Sequence, residues 1–98
     1  MAVYSVPQIL TYLNEVVGRD AVSQDLWIRG EVANLARPSS GHSYFSLRDS
    51  SETLRCVLFR REYTGIEVMS DLIKNGSSVV AHGRIAIYKA RGDLQFVV

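Results

Sequence analysis

The chain is poor in the residues that would staple it or anchor it. Its one cysteine, Cys56, cannot close an internal disulfide and has no Cys or His at metal-ligand spacing, which removes both a disulfide scaffold and a zinc site. Long apolar runs are absent, so no segment approaches the roughly 20 apolar residues of a membrane helix. The opening MAVYSVPQ lacks the basic and apolar regions of a signal peptide, and the expected location is the cytoplasm, away from membranes. Charge excess is lacking too: 11 Lys and Arg against 10 Asp and Glu give +1, so only the placement of cations can mark a polyanion partner. There are no internal repeats, low-complexity segments, phosphate-cradling glycine loops or basic amphipathic helices. What remains is 98 residues, 47% hydrophobic and 21% charged, enough for one small domain held by packing alone.

Ser5 to Gly18 reads as a helix. Ser5 is a good N-cap, Gln8 completes a capping box, Pro7 falls in the first turn where its missing N–H costs nothing, and Gly18 suits the stop. Val6, Ile9, Leu10, Leu13, Val16 and Val17 recur at helical spacing and make one apolar stripe. Asp25 to Ala36 then alternates as a long strand interrupted by Gly30, the mark of a bulge or a barrel corner, and this register puts Trp27 on the outer side, under the first helix.

The turn-forming ARPSSG leads into a second strand, His42 to Asp49, and Asp49 to Glu52 turns into a third, Thr53 to Arg60. Alternation places Phe45, Leu47, Leu54, Cys56 and Leu58 inward and His42, Tyr44, Ser46, Arg48 and Arg55 outward. Thr64, with Glu67 at the capping-box position, begins a second helix that ends at Asn75-Gly76. Ser78 to Tyr88 is a fourth strand with Gly83 in its middle, KARG is a hairpin loop, and Asp93 to Val98 starts a fifth strand. The abrupt stop at Val98 reads as a chain cut from a longer protein, its last strand truncated.

Helix, three strands, helix, two strands, with glycine corners in strands one and four, is the order of an OB-fold. The expected class is therefore mainly β with two helices: a five-stranded Greek-key barrel with an N-terminal helix and a second helix between strands three and four. Residues 1–24 are the helical segment packing on the barrel and residues 25–98 the barrel itself. OB-folds bind oligonucleotides or oligosaccharides on strands two and three and on the loops joining strands one to two and four to five. Those segments supply Arg37, Ser39, Ser40, His42, Tyr44, Arg48, Arg55, Tyr88, Lys89 and Arg91, with no acid between Arg37 and Arg48 or between Arg84 and Gly92.

Cations clustered along a groove can follow phosphates, and an exposed tyrosine can stack on an unpaired base, so the expected partner is single-stranded nucleic acid. Tyr44 is the first stacking candidate and Tyr88 the second; Arg48 has Glu31 and Asp49 as competing ion-pair partners, and Phe59 is left aside as a residue the second helix would cover. No catalytic constellation is present: His42 and His82 lie on different strands, no serine sits in G-x-S-x-G, and Cys56 points inward as a core residue. Arg91-Gly92-Asp93 is read as a turn and not as an adhesion motif. No metal, cofactor or catalytic residue is assigned.

The stretches YSVPQILTYLNEVV, DLWIRGEVANLARPSSGHSYFSLRD, LRCVLFR and GRIAIYKARGDLQ closely resemble the large subunit of exodeoxyribonuclease VII over nearly the whole chain. RGEV-x-N followed by RPSSGH-x-YFSL-x-D is the specific part. The resemblance implies an N-terminal nucleic-acid-binding OB domain whose catalytic region lies farther along the parent chain. It also implies single-stranded DNA as substrate, a small helical subunit as partner of the parent, and cleavage without a required metal. A more distant likeness joins RGEV and YFSLRD to the anticodon-binding OB domains of class II aminoacyl-tRNA synthetases; it gives Tyr44 the place of the base-stacking ring and Arg55 that of a polar reader. Where such synthetases continue with a glycine-rich turn, this chain has Ser50-Ser51-Glu52. The readings carried forward are a single-stranded DNA module of a larger exonuclease, an anticodon-type RNA module, and a barrel serving protein assembly.

Overall fold

The computed structural model describes residues 1–36, 42–59 and 74–98. Within them the chain forms helix α1 (Val6–Arg19) and strands β1 (Leu26–Ala36), β2 (Ser43–Asp49), β3 (Glu52–Leu58), β4 (Ser78–Tyr88) and β5 (Asp93–Val97). The second helix expected from Thr64 onward lies outside the described residues. The strands form one sheet closed in the order β1-β2-β3-β5-β4, all neighbours antiparallel except β3 and β5.

Two glycines route the chain around that ring. Leu26–Glu31 of β1 pairs with β4, whereas Glu31–Ala36 pairs with β2, so Gly30 sits where the strand leaves one neighbour for the other. A Cβ there would meet Leu47 Cβ at 3.1 Å. Likewise Ser78–Gly83 of β4 pairs with β1 and Arg84–Tyr88 with β5, and a Cβ on Gly83 would stand 2.1 Å from the Val97 carbonyl oxygen. No side chain fits that approach. A third irregularity has no glycine to announce it: Asn34 takes a left-handed φ of 54°, and the β1–β2 register slips between Ala33 and Ala36.

The inward residues of the sheet make the core. Val32, Phe45, Leu47, Cys56, Leu58 and Phe96 are buried together, with Leu26, Ile28, Leu54 and Ile85 among those packed around them. Val57 departs from the alternation, because it has the outward parity of Arg55 yet is fully buried. This end of β3 is covered on both faces.

The helix keeps its start and moves its stop. Ser5 Oγ accepts from the Gln8 N–H at 3.2 Å while Gln8 Oε1 accepts from the Ser5 N–H at 2.8 Å, closing the capping box. Gly18 is helical, and the C-cap is Asp20 in extended conformation. The carboxyl of Asp20 accepts from the hydroxyl and the N–H of Ser23, bonds that hold its pKa below the usual carboxylate value. The single stripe divides in two: Ile9, Leu10 and Val17 are half-buried, whereas Val6, Leu13 and Val16 are exposed. The helix touches the β4 end of the barrel, where Asn14 Oδ1 accepts from the Ile87 N–H at 3.1 Å and Gln24 Nε2 donates to the Val17 and Ile85 carbonyls at 3.1 and 3.0 Å. Trp27 is not beneath it. That ring is 69% exposed and stacks on His82 from the facing strand, because α1 docks farther along β4 than the Trp27 position.

Gly83→Ala should therefore cost about 1–3 kcal/mol or more, the range for forcing extra atoms into a packed site. Gly18→Ala, with nothing within 4 Å of its Cβ in α1, should gain up to about 1 kcal/mol from helix propensity. Denaturant midpoints at an unchanged m-value measure both.

Candidate nucleic-acid interface

The outward residues of β2 and β3 face the same side as alternate residues of β5, and the barrel's closure sets them side by side. Antiparallel pairing puts Tyr44 opposite Val57 and Ser46 opposite Arg55, while parallel pairing of Cys56 with Phe96 brings Gln95 next to Arg55. The β4–β5 hairpin adds Tyr88, paired with Asp93, and Arg91, whose N–H donates to the Tyr88 carbonyl at 3.2 Å. Together His42, Tyr44, Arg55, Phe59, Tyr88, Arg91, Asp93 and Gln95 line a groove of about 530 Å³.

A second recess of about 300 Å³ adjoins it, lined by Asn34, Ser46 and, again, Tyr44, Arg55 and Gln95. The shared residues make one track across β2, β3 and β5, from the KARG hairpin to the bulge at Asn34. Tyr44 and Tyr88 are 40% and 49% exposed, so both rings offer a face to a ligand. His42 meets Phe59 edge to face with centroids 5.2 Å apart, which sets two more rings at the upper end of the groove. Arg55 and Arg91 supply positive charge and Asp93 one carboxylate.

Five of the residues selected from sequence are thus brought together: His42, Tyr44, Arg55, Tyr88 and Arg91. Two others are turned elsewhere. Arg48 Nη2 pairs with Glu31 Oε1 at 2.9 Å near the far end of β2, and the Lys89 ammonium lies 3.5 Å from the Thr11 hydroxyl on α1. Arg37, Ser39 and Ser40 lie outside the described residues. Sequence reasoning misses Asn34, Phe59, Asp93 and Gln95. Phe59 shares parity with Tyr44 and is legible on that ground; Gln95 is not, because only the non-local β3–β5 pairing shows its neighbours.

The hairpin that carries Tyr88 and Arg91 rests on α1. Leu10 Cδ2 would stand 3.7 Å from a Cβ on Gly92, Asn14 holds the Ile87 N–H, and Thr11 meets Lys89. The helix therefore fixes one wall of the groove.

The model of the OB-fold nucleic acid binding domain matches residues 4–98 of this chain. The exodeoxyribonuclease 7 large subunit of Moorella thermoacetica is 38% identical over 96 residues, which is 98% of this chain and 23% of that protein. That of Geobacter metallireducens is 41% identical over 75 residues, 76% of this chain and 16% of the other. The chain thus spans a quarter or less of the length of these relatives. Among solved structures, a chain described as an aspartyl-tRNA synthetase from Leishmania major Friedlin shares the fold, with a TM-score of 0.61 and 18% identity over 79% of this chain and 17% of that one.

Burial shields the one thiol of the barrel. Cys56 is 2% exposed in the core, and desolvation pushes its thiol pKa up from 9.0 to about 12 against a smaller opposing hydrogen bond. Among the described residues no group of three or more His, Cys, Asp or Glu is placed to hold a metal ion. At pH 9 the folded chain should resist iodoacetamide and react once denatured. Because the folded thiol holds its proton more tightly, its contribution to stability is fully present below pH 9.0 and fades as pH rises through about 12. Labelling of Cys56 in the folded chain at pH 9, at the rate of a free thiol, would contradict this placement.

Proposed function

The chain belongs to the family of OB-fold nucleic-acid-binding domains, and from that premise we propose that it holds single-stranded DNA along the track centred on Tyr44, Arg55 and Gln95. The observation that carries the reading is the joining of two recesses through these three residues, with the Tyr88 ring and Arg91 at one end. Bases must be unpaired to offer their faces to Tyr44 and Tyr88, which favours a single strand over a duplex. Every base has such a face, so contact is tolerant of sequence.

The likeness to exodeoxyribonuclease 7 large subunits supports a role in a parent enzyme of the cytoplasm. There the domain captures the strand and guides it toward a catalytic region outside this chain. Any small-subunit contact belongs to other parts of that parent. Arg37, Ser39 and Ser40 also contact the strand in this reading, and Lys89, whose ammonium turns to Thr11 of α1, adds only long-range charge. Arg48 contributes least, since its guanidinium is engaged by Glu31.

Fluorescence anisotropy of a labelled DNA oligomer tests the proposal. Tyr44→Ala should weaken binding by about 1–3 kcal/mol, the loss of one stacked base. Arg55→Ala and Arg91→Ala should each weaken it and flatten the slope of log K against log salt by about 0.7 for every phosphate no longer neutralised. Arg48→Ala should change little, as expected of an exposed residue already paired to a carboxylate. A structured RNA loop that displaced the DNA at far lower concentration would assign the groove to an anticodon-type ligand instead.

A further inference from the structure

Trp27 is the single tryptophan of the chain, and it stands 69% exposed on the outer face of the β1–β4 pair. It is directly opposite His82, and the two rings stack with centroids 4.4 Å apart and planes 18° from parallel. His82 Nε2 lies 2.5 Å from Asp25 Oδ1, so the imidazole is fixed from its far end and the stack is held in place. Tryptophan is enriched at contact surfaces, where a large ring gives much area for little entropy.

The charges around it select the kind of partner. Arg29 lies two residues along β1 from Trp27, and Arg84 lies two residues along β4 from His82, so both share the outer face. Both are exposed, and neither forms an ion pair among the described residues. The neighbouring acids are engaged: Asp25 by His82, Glu31 by Arg48, Asp20 by Ser23. A stacked ring pair flanked by two unpaired guanidinium groups is complementary to an unpaired base with its adjoining phosphates.

In the ring order the β1–β4 seam stands opposite β3, so this surface is on the other side of the barrel from the Tyr44 track. We infer that the Trp27–His82 stack is a second platform for single-stranded nucleic acid, on which a base stacks against Trp27 after the strand has left the groove and passed around the barrel. The inference rests on the proposed function for the class of partner and not for the location.

Trp27 reports on itself, since excitation at 295 nm selects its emission from that of the tyrosines. A thymidine oligomer of about 30 nucleotides, roughly twice the upper span of one such barrel, should quench it at saturation. Quenching should persist in Tyr44→Ala at higher oligomer concentration. Trp27→Ala should bind that oligomer roughly 10-fold more weakly while binding one of about 6 nucleotides, short enough for the groove alone, as before. Anisotropy that rises with no change in Trp27 emission would overturn this inference and leave the groove reading intact. Quenching with affinity indifferent to Tyr44→Ala would remove the groove and keep the platform, and no response in either signal would remove both. Emission that shifts with protein concentration in the absence of DNA would make the occupant a second copy of the chain and overturn the platform.

Discussion

The contact on which the rest depends is the approach of the β4 backbone to the end of β5 at Gly83, where an added Cβ would lie 2.1 Å from the Val97 carbonyl oxygen. That approach lets β4 leave β1 and pair with β5, and β5 in turn lies beside β3. Without it the sheet has an open edge, and Gln95 and Asp93 have no reason to stand near Arg55. The groove is therefore a product of closure, because the parallel pairing of β3 with β5 turns two outward-facing strands into three.

Closure also explains which parts are legible in the sequence. The capping box at Ser5 and Gln8, the glycine corners, the core parity of β2 and β3 and the outward placement of Tyr44 and Arg55 all rest on spacing within one element, and each is read from a few adjacent residues. The bulge at Asn34 stays hidden because its left-handed φ of 54° falls on a residue without the usual glycine signal. Gln95 stays hidden because its neighbours come from a strand 40 positions away, as the pairing of Cys56 with Phe96 shows. Trp27 is misplaced for a related reason: parity correctly sends it outward, but what covers an outer face depends on where a helix docks, and α1 docks beside Ile87.

The division of labour between charges follows from the same geometry. Arg48 is closer in sequence to Tyr44 than Arg91 is, yet Arg48 is spent on Glu31 across the β1–β2 pair while Arg91 reaches the groove from a hairpin steadied by Leu10 and Asn14. Placement, and not the net +1, decides which cations are available to a polyanion.

The groove's own composition fixes how a strand would lie in it. Rings from Tyr44, Tyr88, His42 and Phe59 outnumber its two arginines, and Asp93 adds a carboxylate among them. A phosphate turned inward would meet that carboxylate, and like charges repel. A base turned inward meets a π-face and, at Asp93 and Gln95, hydrogen-bonding groups for its edge. In the proposed complex the bases would therefore face the barrel and the phosphates solvent, with Arg55 along the track and Arg91 at its hairpin end as their cations. In that orientation stacking would supply most of the binding free energy and phosphate neutralisation the smaller part, and affinity would fall gently with salt. That suits a domain whose proposed task is to grip any sequence and then let it slide.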